Sequence, residues 1–227
     1  MMIPLVLAVM AGAASPAPTA KPLREVVFKA SYTRREALQV EHYGAVPPDA
    51  FGHSTGDDGT ITVDVMAVGR NTLGIRLTES WKQAPRTATY LGNVAPEGTV
   101  NFGNQPISGC ARDLLVFFGP SVTQSQPMAP GVAWTSKLDA KDVSVSTNYT
   151  VAKVDGSIVT INETRTIAVH AARGMDSQLG GWVTYKPSKL VPIAGQLTEL
   201  RQASSASGND TIQSIVNFTR LSDTLDH

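Results

Sequence analysis

A single cysteine, Cys110, rules out any disulfide within the 227-residue chain. Its neighbours, Ile107-Ser108-Gly109-Cys110-Ala111, are small or apolar, so the thiol is expected to be buried as a small hydrophobe near the start of a helix. Charge is scarce as well. Charged residues make up 17% of the chain, below the quarter or so usual in globular proteins. The 19 Lys and Arg balance 19 Asp and Glu, so no long-range field draws the chain to phosphate backbones, and nucleic acid is excluded as the expected partner. The four histidines, His42, His53, His170 and His227, never fall at the spacing of metal ligands, and no metal site is expected. There is no phosphate-cradling glycine loop. Gly119-Pro120-Ser121-Val122-Thr123 begins like a nucleophile elbow but lacks the closing glycine, so it reads as a turn. No cofactor and no catalytic residue are assigned.

Long apolar runs are absent apart from the amino terminus. Ile3 to Ala14 is apolar throughout and runs into Ser15-Pro16-Ala17-Pro18-Thr19-Ala20, the pattern of a signal peptide core followed by a small-residue cleavage region. The run is shorter than the roughly 20 apolar residues needed to span a bilayer, so no transmembrane segment is expected. No basic residue precedes it, whereas Lys21 and Arg24 follow, which points to a start codon upstream. Residues 1–20 are thus read as signal peptide and Pro/Ala-rich leader, residues 21–227 as a single all-β domain, and the location as periplasmic or extracellular.

What the sequence does contain is β-branched residues at a period of two. Val26, Phe28, Ala30 and Tyr32 alternate with Val27, Lys29 and Ser31. Ile61, Val63, Val65 and Ala67 lead through a turn at Gly69-Arg70-Asn71 to Leu73, Ile75 and Leu77. Between these segments Gly44 to Gly59 reads as one long loop, with Asp57-Asp58-Gly59 as a solvated turn. A shorter hairpin over Thr89 to Phe102 turns at Pro96-Glu97-Gly98. Residues 107–118 break the alternation: Ile107, Cys110, Ala111, Leu114, Leu115 and Phe118 recur at helical spacing, Ser108 is placed to cap, and Gly119-Pro120 stops the run. The second half returns to strands: Val143 to Val151, a two-residue turn at Asp155-Gly156, Ser157 to His170, and a pair around Pro187-Ser188. A loop over Ala203 to Asp210 leads to a last strand, Thr211 to Leu221. Leu179-Gly180-Gly181 reads as a turn. The fold class is therefore mainly β, a curved antiparallel sheet forming a half-barrel or open barrel with one covering helix. Its lobes, 24–105 and 129–222, are joined by that helix. Met66–Glu79 can be laid over Thr150–Glu163, which allows two similar halves.

Aromatics make up only 6% of the chain, so the large rings carry weight. Core packing is their ordinary role. The alternative is a cavity on the concave side, for which Trp134, Tyr149, Trp182, Tyr185, Leu114 and Phe118 are the candidate ligand-binding residues. Carboxylates for acid and base work are available in Asp64, Glu79, Asp142 and Glu163, but on amphipathic strands they are expected to face water. Glycosylation patterns at Asn148, Asn162, Asn209 and Asn217 follow from threonine-rich strands and are read as unmodified.

The segment Met128-Ala129-Pro130-Gly131-Val132-Ala133-Trp134, followed by Tyr149 to Val154, Asp155-Gly156 and Gly181-Trp182-Val183-Thr184-Tyr185, resembles a broad group of exported bacterial proteins. Their shared pattern is a Pro-rich connector, Gly-x-x-Trp and a long meander with an Asp-Gly hairpin. The architecture this implies is similar to the half-barrel of periplasmic lipoprotein carriers, a sheet curled around a helix. The resemblance covers residues 128–186 and carries over no functional residue. The function expected is a non-catalytic exported envelope protein, structural or binding an apolar small molecule in the curved sheet, with an envelope protein as the other partner. The alternatives are a secreted or periplasmic hydrolase with a site assembled from distant residues, and a protein-interaction module displaying a sheet edge.

Overall fold

The computed structural model describes residues 21–40, 52–69, 72–83, 87–95, 100–118, 127–140, 143–169, 175–186, 191–205 and 208–226. They form one antiparallel sheet of eleven strands that does not close into a barrel. The strands are β1 (Arg24–Val40), β2 (His53–Val68), β3 (Leu73–Trp81), β4 (Thr87–Val94), β5 (Val100–Asn101), β6 (Ala133–Ala140), β7 (Val143–Asp155), β8 (Ile158–Val169), β9 (Met175–Lys186), β10 (Val191–Ser205) and β11 (Gly208–Asp223), with α1 (Gly109–Val116) between β5 and β6. Their order across the sheet is β5-β4-β3-β2-β1-β11-β10-β9-β8-β7-β6. The first and last strands therefore meet in the middle, Ala30 opposite Phe218, and the two halves are one continuous sheet. β5 and β6 are its edges, and the chain carries α1 as it passes from one edge to the other.

Alternation places Val26, Phe28, Ile61, Val63, Ile75, Leu77, Val159, Ile161, Val183, Leu197 and Phe218 on one inner face. The helix fills that face. Ser108 caps it by accepting from the Ala111 backbone N–H at 3.0 Å. Leu114, Leu115, Phe117 and Phe118 are fully buried. The Phe28 ring meets Phe118 and Phe218 edge-on at 5.9 and 6.1 Å, and the Tyr185 hydroxyl donates to the Phe117 carbonyl at 3.2 Å. Among the described residues no helix is long and apolar enough to cross a membrane.

Strand order runs in the same sense through both halves, so a displacement of six positions carries β2 and β3 onto β7 and β8. Ile75, Leu77 and Glu79 then correspond to Val159, Ile161 and Glu163, and all six side chains are buried.

Several expectations are corrected. The loop expected over Gly44 to Gly59 ends earlier, because β2 begins at His53 and pairs with the long β1 through Asp57, opposite Tyr32. Backbone pairing with β1 overrides the turn preference of Gly56, Asp57 and Gly59, and Asp57 is buried instead of solvated. Gly59 has a packing role: a Cβ there would lie 2.7 Å from the Trp81 ring that crosses it. Leu179-Gly180-Gly181 lies inside β9, where Gly181 pairs with Glu163 on one side and Leu197 on the other. The second-half turn is centred on Gly156-Ser157, since Asp155 already pairs with Ile158, and Gly156 adopts φ +57°. β10 and β11 extend through most of Ala203 to Asp210 and pair down to Ser205 opposite Gly208. The final strand lies in the middle of the sheet against β1, and the edge strand β6 arises from a stretch with no assigned strand. Pro96-Glu97-Gly98, Gly119-Pro120, Pro187-Ser188, Asp142, His42, His170, His227 and the proposed leader lie outside the described residues.

Candidate functional site

Along the strands the inner face changes character. Successive rungs read Ala30–Phe218–Gly195–Val183, then Tyr32–Val216–Leu197–Gly181–Glu163, then Arg34–Ser214–Glu199–Leu179–Arg165. The apolar end is filled by the carboxy-terminal part of α1 and the two phenylalanines after it. The polar end lies beside the start of the helix, and there a cavity of about 480 Å³ remains open. That size lies within the roughly 300–1,000 Å³ typical of small-molecule sites.

Aromatic, aliphatic and polar side chains are interleaved around this cavity, Asp57 pairing directly with Tyr32, Glu79 with Ala88 and Arg201 with Ile212. Tyr32 and Trp81 meet edge to face at 5.3 Å, with Tyr90, Ala88, Ile212 and Val216 around them. The polar part of the lining is Arg34, Asp57, Glu79, Asp113, Glu199 and Arg201. Most of these groups are held in place by the protein. Glu79, 3% exposed, accepts from the Ser108 hydroxyl and, at 3.1 Å, from its backbone N–H, which ties β3 to the start of the helix. Glu199 accepts from the Ser177 hydroxyl at 2.6 Å and from Arg201 at 3.0 Å. Asp57 accepts from the backbone N–H groups of Asp58 at 2.8 Å and Gln83 at 3.0 Å. Behind the cavity Arg165 donates to Glu163 at 2.5 Å, and both are buried.

Asp113 differs from its neighbours. Among the described residues it has neither a hydrogen bond nor an ion pair. Burial, then the nearby Glu199, pushes its carboxyl up to about 7, with Glu163 adding to the rise and Arg165 and Arg201 opposing it. Burial also raises Glu163, against the pull of Arg165. The thiol of Cys110, 4% exposed, is pushed up by burial and by Asp113 and Glu79, so it stays a protonated, unreactive group in the cavity floor. Among the described residues no three of His, Cys, Asp or Glu converge to hold a metal ion.

The six residues expected from the sequence are dispersed. Leu114, Phe118 and Tyr185 belong to the filled core. Trp134 stacks on Tyr149 at 5.3 Å on the β6 side, and Trp182 lies on the outer face, 39% exposed. None of them lines the cavity. Of the carboxylates expected to face water, Glu79 and Glu163 point inward. Asp64 is on the outer face but is covered by Arg76, which donates to it at 2.7 Å. The signal for the inward pair was phase: each glutamate continues the alternation of the two buried residues before it. Asp113, Glu199 and Arg201 carried no comparable motif.

No protein-family model matches the chain, and no curated protein is similar to it in sequence. Among solved structures it is similar to a chain from a study of lipid–protein interactions in lipovitellin, with a TM-score of 0.47 and 11% identity. The similarity covers 90% of this chain and 26% of that one, so this chain spans about a quarter of the length of its structural neighbour.

Proposed function

We propose that the chain is an exported, non-catalytic binding protein that holds an apolar or amphipathic small molecule on the concave side of its sheet. The observation that carries this reading is the cavity beside the helix start, lined by Tyr32, Trp81 and Val216 together with polar groups that the protein holds in place. Glu79 and Glu199 are committed to the helix end and to the Ser177 and Arg201 donors, which favours holding a molecule over transferring protons to it. The uncharged fluorescent probe phenylnaphthylamine tests the reading. Its emission should rise with saturable binding to the wild type and should not rise with Ala88→Trp, whose side chain would occupy the cavity. Equal enhancement by both proteins would move the site elsewhere; none with either would remove it.

Export rests on the apolar stretch Ile3 to Ala14 and the small residues after it. Amino-terminal sequencing of protein from its native host should show a chain that has lost its first 13 to 20 residues, and an intact Met1 would overturn the location.

A further inference from the structure

We infer that the molecule held in the cavity is an organic cation, an amine with an apolar body whose ammonium group lies against Asp113. The inference rests on the binding reading above and adds the charge of the ligand.

The argument is one of charge balance. Four carboxylates line the cavity, Asp57, Glu79, Asp113 and Glu199, against two arginines. Both arginines are already engaged: Arg34 pairs with Glu36 at 2.6 Å and Arg201 with Glu199 at 3.0 Å. Among the described residues Asp57, Glu79 and Asp113 form no ion pair. Neutral groups, the backbone N–H of Asp58 and Gln83 and the Ser108 N–H and hydroxyl, satisfy the first two, and among the described residues no donor bonds to the third. A partly buried lining with an excess of carboxylates repels an anion and attracts a cation. The rings of the lining suit the same charge: Tyr32 and Trp81 stand nearly perpendicular, at 80°, and Tyr90 adds a third. Aromatic faces joined to carboxylates are the surroundings in which ammonium groups are held. Ile212, Val216 and Ala88 leave an apolar surface for the rest of the molecule.

The inference also predicts proton release. Asp113 faces Glu199 and Arg201 from β10 and Glu163 and Arg165 from β8, with Cys110 on its own helix and Glu79 across the cavity. A bound ammonium adds a positive charge beside this carboxyl, so Asp113 gives its proton to the buffer on binding. The affinity for an amine should therefore weaken as the pH falls below about 7.

Calorimetric titration of the full chain with octylamine, octanol and octanoate decides the matter. Octylamine should bind about tenfold or more tightly than octanol, and octanoate weakest. Asp113→Asn should erase most of the preference for octylamine over octanol and abolish the proton release. If octanol matches octylamine, or octanoate binds best, the cation inference is overturned while the cavity reading stands. If none of the three binds, the cavity reading itself fails. An unchanged preference in Asp113→Asn would overturn the assignment of that residue. Should the variant not fold, the ranking on the wild type alone decides.

Discussion

Glu79 gives the most demanding test of how the cavity is built, because one buried side chain joins the sheet to the helix that shapes it. Its carboxylate takes two hydrogen bonds from Ser108, whose hydroxyl oxygen in turn accepts from Ala111. Hydrogen bonds to a charged group contribute about 1.5–3 kcal/mol each, and a negative charge at a helix start adds about 0.3–1 kcal/mol. Water in the adjoining cavity can take over part of this, so Glu79→Ala should cost about 3 kcal/mol, near the lower bound of two such bonds. Glu79→Gln keeps an acceptor and the shape and should cost about 1 kcal/mol, close to the charge contribution alone. Urea denaturation of wild type, Glu79→Ala, Ser108→Ala and the double variant forms a cycle whose coupling should be about 1–2 kcal/mol. Amide exchange at Ala111 and Arg112 should accelerate in Glu79→Ala, since the first turn loses its anchor. A Glu79→Ala variant within about 0.5 kcal/mol of wild type, with unchanged exchange in that turn, would refute the tether and with it the account of how the cavity stays open.

Other outcomes follow from the same structure. Leu114→Ala, at a fully buried position, should lose about 2–5 kcal/mol in chemical denaturation, and a value near zero would make the helix peripheral. Gly156→Val must hold φ near +57° and should lose more than about 1 kcal/mol, through backbone strain alone, because beyond its own chain neighbours no atom lies within 4 Å of the position its Cβ would take. For Asp113 the folded carboxyl keeps its proton up to about 7 while the unfolded one releases it near 3.8. Its contribution to stability therefore falls as the pH rises through that window. Asp113→Asn should flatten this part of the pH profile of the denaturation midpoint, and an unchanged profile would contradict the burial of the group.

The fold was legible where alternation was strict. β3 and β8 carry regular buried positions, Ile75 and Leu77 in one and Val159 and Ile161 in the other, and α1 showed both its spacing and its Ser108 cap. Glycine misled the reading elsewhere. Gly59 and Gly181 look like turn residues, yet both lie in strands with partners on each side, where the sheet needs room more than a bend. The site was less legible, for two reasons. The rings chosen as ligand contacts were those of the carboxy-terminal half, where Tyr185 packs the core and Trp182 faces outward, whereas the cavity uses Tyr32, Trp81 and Tyr90. The polar part of the lining draws Glu79, Asp113 and Glu199 from three distant segments, and their placement in one cavity depends on β1 pairing with β11, which no local pattern announces.

The cavity claim can be tested at the level of single atoms by the indole N–H resonances of the three tryptophans, assigned by Trp→Phe variants and followed while octanol is added to the isotope-labelled protein. Trp81 lines the cavity, Trp134 stacks on Tyr149 away from it, and Trp182 sits on the outer face. The account predicts that the Trp81 signal moves saturably while the other two stay in place. A shift of Trp134 or Trp182 with Trp81 unmoved, or no shift at all, would contradict it.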